Sequence, residues 1–270
     1  MNKSLLRSKF KAFGIHFSIS SAIFVVILYF ILVYWYPFPY FVTDGGWQGV
    51  RLMVAVDLVL GPFLTFLVFD YKKKRREIVF DLSVIGTVQL IALVWGGFAV
   101  HSQRPAVIVQ IDEVFRSVTA KPFEDQGVEF SQISALSTQH PPIVYSLPPR
   151  TREDYLAQKE RIQRGIGINA QVEIYRPLAD YLSQVFEYRL DMKAEIAEHE
   201  QLKIELEEFL REQEAKLDDF YFMPYLGRYT MAILVFDKKG IMRGALYSEF
   251  SMYRITPDSE KPDSNKKKKK

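Results

Sequence analysis

Two aspartates lie inside stretches that are otherwise nearly all hydrocarbon. Asp57 stands in "VDLVLGPFLTFLVFD" (56–70) and Asp81 in "IVFDLSVIG" (78–86). Two carboxylates in near contact and sharing a proton would be the acid–base pair of an aspartyl protease. Depth argues against that chemistry. Counted from the apolar start at Val50, Asp57 lies about 10 Å along its helix at about 1.5 Å per residue. Counted from Ile78, Asp81 lies about 5 Å in from the opposite face by the same rise. Across about 30 Å of hydrocarbon the two are about 15 Å apart. Asp81 is expected at an interface, neutralised by the adjacent "KKKRR" (Lys72–Arg76). Asp57 remains costly, because a charge within a span costs several kcal/mol and faces protein or a cavity. It is expected either to satisfy an internal pair, with Gln89 or Arg51, or to grip another helix.

Other catalytic constellations are missing from the sequence. His16, His101, His140 and His199 are isolated and show no metal-ligand spacing. "GGW" and "GIG" lack the Lys-Ser/Thr ending of a phosphate loop, and no serine sits in a nucleophile elbow. The chain has no cysteine, which removes disulfides, thiolates and cysteine metal ligands. No enzyme activity and no cofactor are expected. A net charge of +3 is too weak to argue for nucleic acid as a partner.

The elements that carry Asp57 and Asp81 are three apolar stretches, at about 12–36, 50–69 and 78–100. Each is close to the roughly 20 residues that cross a bilayer as a helix. The first is too long for the h-region of a cleaved signal peptide and is followed by aromatic, proline-rich "YWYPFPYF", so an uncleaved anchor is expected. Arg7, Lys9 and Lys11 precede it, and Lys72–Arg76 separates the second stretch from the third. The loop 37–49 has neither Lys nor Arg. Positive-inside reasoning places the N-terminus in the cytoplasm and everything after His101 on the far side, the periplasm of a Gram-negative cell. Tyr34, Trp35, Tyr36, Tyr40 and Trp47 then form an outer aromatic belt.

Past residue 100 the pattern becomes that of a soluble α/β domain. "PAVIVQID" and "EVFRSVTA" read as strands joined near Asp112. "HPPIVYSLPPR" holds a short strand, and Thr151 or Asp154 opens a polar helix to about Arg164 that "GIG" ends. "QVEIY" reads as another short strand. From Pro177 to about Leu217 a helical pattern is expected, with one stripe at Leu182, Val185, Phe186 and Leu190 and a second at Leu202, Leu206, Phe209 and Leu210. The acidic, charge-laced part of this segment reads as a solvated helix face or as a coiled-coil surface for a partner. "YTMAILVFD", "KKG" and "IMRGALYS" read as a β-hairpin.

The expected fold is therefore a membrane protein of three N-terminal transmembrane α-helices followed by a soluble α/β (α+β) domain ending in a β-hairpin. Its parts are 1–100 in the membrane, a periplasmic domain at 101–256 and a disordered basic tail at 257–270.

Several motifs are similar to the TfpX/TfpZ family of type IV pilin accessory proteins. "KAFGIHFSIS" resembles the family's opening, and "DGGWQGVRLMVAVDLVLGPFLTFLVF" (44–69) its most specific block. "FDLSVIGTVQLIALVWG" with "SQRPAVIV" continues the likeness. "FMPYLGRYTMAILVFDKKGIMRGAL" resembles its Pro-Leu-x-Gly-Arg turn and terminal hairpin, with Tyr225 where the pattern has Leu. The resemblance covers most of 11–250 and is loose between about Thr151 and Asp219. It implies a non-catalytic inner-membrane protein assisting a cognate type IV major pilin, in contact with membrane lipid and other inner-membrane pilus-assembly components. Its motifs single out Asp44, Gly45, Gly46, Trp47, Asp57, Gly61, Pro62, Gly227 and Arg228 as candidate partner-binding or structural residues. A pilin helix would then rest on Gly61 and meet Asp57, with Pro62 freeing a carbonyl near Leu58. The rival reading is a membrane-anchored periplasmic sensor or ligand-binding protein, weakened by the shortness of its cytoplasmic segments. An enzyme that modifies pilin would need acidic or histidine groups gathered on one face.

Overall fold

The computed structural model describes residues 3–248, so the expected tail at 257–270 lies outside the described residues. The chain divides into two compact units at Arg104/Pro105.

The first unit holds three helices long and apolar enough to cross a membrane: Lys3–Trp35, Gly46–Val68 and Arg75–Ser102. They outrun the apolar stretches by up to nine residues because polar ends such as Lys3–Lys11 and Arg75–Glu77 continue the same helical backbone. The middle helix packs against both others, whereas the first and third hardly meet along most of their length. They approach near one end, where Trp35 lies edge-on to His101 at 5.0 Å and the Tyr36 hydroxyl donates to the Val100 carbonyl at 2.9 Å. Ile31, Tyr36, Val50 and Met53 form the buried core there. At the opposite end, Ser4 Oγ and Tyr71 Oη lie 3.2 Å apart, and Lys9 donates to the Leu67 carbonyl at 2.8 Å. Most other apolar side chains point outward, Trp95 and Phe98 being 74% and 67% exposed.

The second unit is built on a seven-stranded mixed sheet. Its strands are β1 (Pro105–Ile111), β2 (Val114–Thr119), β3 (Ile143–Ser146), β4 (Tyr175–Pro177), β5 (Phe220–Leu226), β6 (Met231–Asp237) and β7 (Met242–Leu246). The spatial order is β4-β3-β1-β2-β5-β6-β7. The β1–β3 and β2–β5 pairs are parallel and the rest antiparallel. Every residue of β1 is buried, which is why "PAVIVQI" shows no polar alternation. One face meets Phe123 and Ile133 at one end, and Leu202, Leu206 and Phe209 of the helix Glu200–Glu212 at the other. On the opposite face Phe186 stacks on Tyr221 at 4.2 Å, and Phe115 on Phe236 at 5.0 Å. Gly244 lets the Glu200–Glu212 helix close onto β7, since a Cβ there would lie 2.6 Å from Phe209 Cε2.

Local chemistry accounts for the termini. Thr151 caps the helix Arg152–Gln163 in a reciprocal capping box with Asp154, whose carboxyl is held below the usual carboxylate range first by the Thr151 N–H. The β6–β7 turn closes on Asp237. Its carboxylate accepts from the Lys239 and Ile241 N–H groups and pairs with Arg243 at 2.6 Å. Burial pushes that carboxyl up, but these donors outweigh it and the net shift is downward. Gly240 takes the φ of +79° the turn requires.

Three sequence expectations need correction. Val172–Ile174 of "QVEIY" is a 3₁₀ turn, and the strand begins only at Tyr175, where pairing with Ser146 becomes available. The 177–217 segment is not one helical run. It is short turns through Tyr188, an extended piece whose Leu190 N–H donates to the Phe222 carbonyl at 2.9 Å, then Met192–Glu198 and Glu200–Glu212. Leu190 thus reaches its core as a strand-like neighbour and not through a helical stripe. Third, Pro224, Tyr225 and Leu226 form no turn. They belong to β5, where Tyr225 pairs with Phe115 on one side and Ala232 on the other.

Candidate functional site

The "DGGW" motif is the tight entry to the middle helix. Gly45 precedes its first residue at a φ of +104°, a conformation that side chains rarely adopt. A Cβ on Gly46 would lie 2.5 Å from the Phe41 ring and 3.1 Å from its backbone. Asp44 is buried and accepts from the Thr43 hydroxyl at 2.6 Å, while Trp47 is half exposed and edge-on to Phe41. These residues shape a turn.

Asp57 sits at the midpoint of Gly46–Val68, about 16 Å from either end at 1.5 Å per residue. The helix starts at Gly46 rather than Val50, so Asp57 is deeper than its sequence position suggested. It is 7% exposed, and its carboxylate has neither hydrogen-bond nor ion-pair partner among the described residues. Arg51 is exposed and makes no ion pair with it. Asp81, in contrast, is paired with Lys73 at 2.7 Å.

Backbone geometry explains what Gln89 does. Val54–Leu60 is a π-helical segment, in which Gly61 donates to the Val56 carbonyl five residues back. In that register the donor missing at Pro62 is the one the Asp57 carbonyl needs, not that of Leu58. Gln89 Nε2 lies 3.5 Å from this carbonyl, a long contact. Gly61 makes room for it, since a Cβ at Gly61 would fall 1.8 Å from Gln89 Nε2. Gly61 and Pro62 are both buried, with Gly61 facing the chain's own third helix. Gln89 Oε1 is buried with no partner.

Where the first and third helices part, they leave a cleft of about 300 Å³. His16, Ile19, Ser20, Ile23 and Phe24 line one wall, Gly86, Gln89, Leu90 and Leu93 the other, and Asp57 forms the floor. His16 Nδ1 is engaged with Thr65 Oγ1. The wall residues fall at i, i+3 and i+4 spacings, a signal present in the sequence but recognisable only once the middle helix is known to lie behind both walls.

Gly227 and Arg228 follow β5 in the other unit, so the residues singled out from sequence do not form one site. Two hollows lie among the described residues of the second unit. One is bordered by Asp125, Arg164 and Glu173, the other by His199, Glu205 and Tyr247. In the latter, Glu205 accepts from the Tyr247 and Ser248 N–H groups at 2.8 and 3.2 Å, securing the end of β7. Burial and then the Glu205 charge push the Tyr247 phenol up to about 12. Among the described residues no group of three or more His, Cys, Asp or Glu side chains could hold a metal ion.

Three long apolar helices with a polar-floored cleft, followed by a mixed-sheet α+β unit, define the class of protein. Residues 4–45 match the family described as "Fimbrial assembly protein FimB". Three fimbrial assembly proteins of Dichelobacter nodosus are each 33% identical over 115 residues, 42% of this chain. The match spans 88% of the protein of serogroups C1 and C2, but only 45% of those of serogroups I and E1. The chain belongs to the fimbrial assembly protein family. No solved structure matches it.

Proposed function

We propose that this chain is a non-catalytic accessory protein of the inner membrane that holds a cognate type IV pilin before or during its assembly into fimbriae. The observation that carries the reading is the lateral cleft at mid-height of three apolar helices, floored by the unpartnered Asp57. Family membership and the names of its relatives support a place in fimbrial biogenesis. A surface as apolar as that around Trp95 and Phe98 suits lipid and not water. Pilin enters the cleft through its apolar helix, and the Pro105–Ser248 unit is free to meet the pilin's soluble part and other assembly components. Deleting the gene in its fimbriate host lowers surface pilin while the total pool stays unchanged, and expressing the chain restores it. Equal surface pilin in the two strains, by immunoblots of sheared and whole-cell fractions, would refute the reading.

The basic residues support an orientation with the N-terminus and Lys72–Arg76 in the cytoplasm. Lys9 and Lys73 lie toward the end of the bundle where Ser4 meets Tyr71, and the 37–49 loop without Lys or Arg joins the other ends of the first two helices. Reporter enzymes that work only in the periplasm are active when fused after His101 or Leu246 and silent within Lys72–Arg76. The reverse pattern moves the second unit to the cytoplasm.

A further inference from the structure

The cleft is shaped by rows and not by a ring of side chains. Ile19 and Ile23 lie one helical turn apart along one wall, as do Gly86 and Leu90, and Gln89 and Leu93, along the other. Such parallel rows accommodate the side-chain ridge of a third helix lying along them. Gly86, above which there is open space for a Cβ, lowers one wall.

The polar groups of the cleft are unevenly matched. Its floor is a carboxyl group, 93% removed from solvent, whose oxygens have no hydrogen-bond or ion-pair partner among the described residues, and neither Lys nor Arg lines the walls. Beside it stands Gln89, whose amide nitrogen is directed to the Asp57 backbone and whose carbonyl oxygen has no donor. Ser20 supplies one hydroxyl and His16 is already engaged with Thr65. Two acceptors, one of them a carboxyl group that can ionise, therefore share an apolar cleft that offers neither Lys nor Arg. A buried charge left unpaired is strongly unfavourable, and a partner that brings the opposite charge removes that cost.

We propose that the cleft recognises an apolar membrane helix by a single ammonium or guanidinium group, which pairs with the Asp57 carboxylate and donates to Gln89 Oε1. This rests on the reading above and adds the chemistry by which one helix is told from others. A wholly apolar helix would leave both acceptors unsatisfied, so the cleft discriminates against ordinary membrane spans.

The test uses the full chain in the membranes of its fimbriate host, with a photo-crosslinking residue at Ile23 in the cleft and, as control, at Val88, which does not line it. The expected adduct at Ile23 is the pilin, and Val88 gives none. Asp57→Asn, at unchanged protein level, lowers the yield about three- to thirty-fold, the range for an interhelical polar contact of about 0.6–2 kcal/mol. Asp57→Glu retains most of it, and neutralising the cation mapped on the adduct gives the same loss with no further loss in the double variant. A pilin adduct insensitive to Asp57→Asn, or lost only with Asp57→Leu, overturns recognition by charge and leaves the pilin-holding function standing. Adducts only with lipid, or with a second copy of this chain, overturn both.

Discussion

Leu234→Asp and Val235→Asp each abolish the protease-resistant fold of Pro105–Ser248. The two side chains point to opposite faces of β6, Leu234 paired with Met223 and Ala245, Val235 with Phe222 and Gly244. Alternation predicts that one of them meets the core and the other solvent. Both are fully buried, because the sheet is covered on each face. Either substitution buries a carboxylate at a site that now holds a fully buried apolar side chain, at a cost of several kcal/mol. That is comparable with the whole margin of about 5–15 kcal/mol for a domain. Met231→Asp, at the 43% exposed start of the same strand, is the control and retains the fold. Limited proteolysis of the three variants decides, and a resistant Leu234→Asp would show that the face opposite the Glu200–Glu212 helix is not packed.

Gly61→Leu lowers the membrane level of the chain and the display of surface pilin together. A Cβ at Gly61 lies 1.8 Å from Gln89 Nε2 and 2.3 Å from Cδ, so even alanine must displace the amide from the Asp57 carbonyl. The Gln89 side chain can swing away from a methyl group. It cannot accommodate a leucine without separating the middle and third helices, and overpacking of this kind costs about 1–3 kcal/mol. Gly61→Ala therefore has a smaller effect, and Gly61→Ala with Gln89→Ala restores the level because the obstruction is gone. Quantitative immunoblots of membranes provide the measurement. A double variant no better than Gly61→Ala would remove the Gln89 contact as the cause.

What could be read from the sequence follows the range of the forces involved. Hydropathy is local and strong, so three apolar helices are evident, as are β1 and β2, while the start of the Arg152–Gln163 helix is legible only as Thr151 or Asp154. β5 is not evident, because "FYFMPYL" looks like the approach to a turn until β2 and β6 are known to flank it. The breaks between Leu178 and Glu200 are hidden in the sequence for a related reason. Their apolar spacing is helical on average, but Leu190 finds a better partner in the Phe222 carbonyl than in another helical turn. Asp57 was legible as an anomaly. Its cleft was not, since that depends on which pairs of helices touch. The same holds for the five-residue register that redirects the effect of Pro62 from Leu58 to Asp57.

The cleft opens sideways between two helices instead of along the bundle axis, and it is pinched near one end by Trp35 against His101. If the cleft holds a membrane helix as proposed, that guest enters or leaves it by lateral diffusion, without threading through a pore. Loading then depends on how many guest helices share each square micrometre of the sheet, not on how many are dissolved in a litre. On that reading, crowding the membrane with guests fills the cleft and drawing them off empties it by mass action.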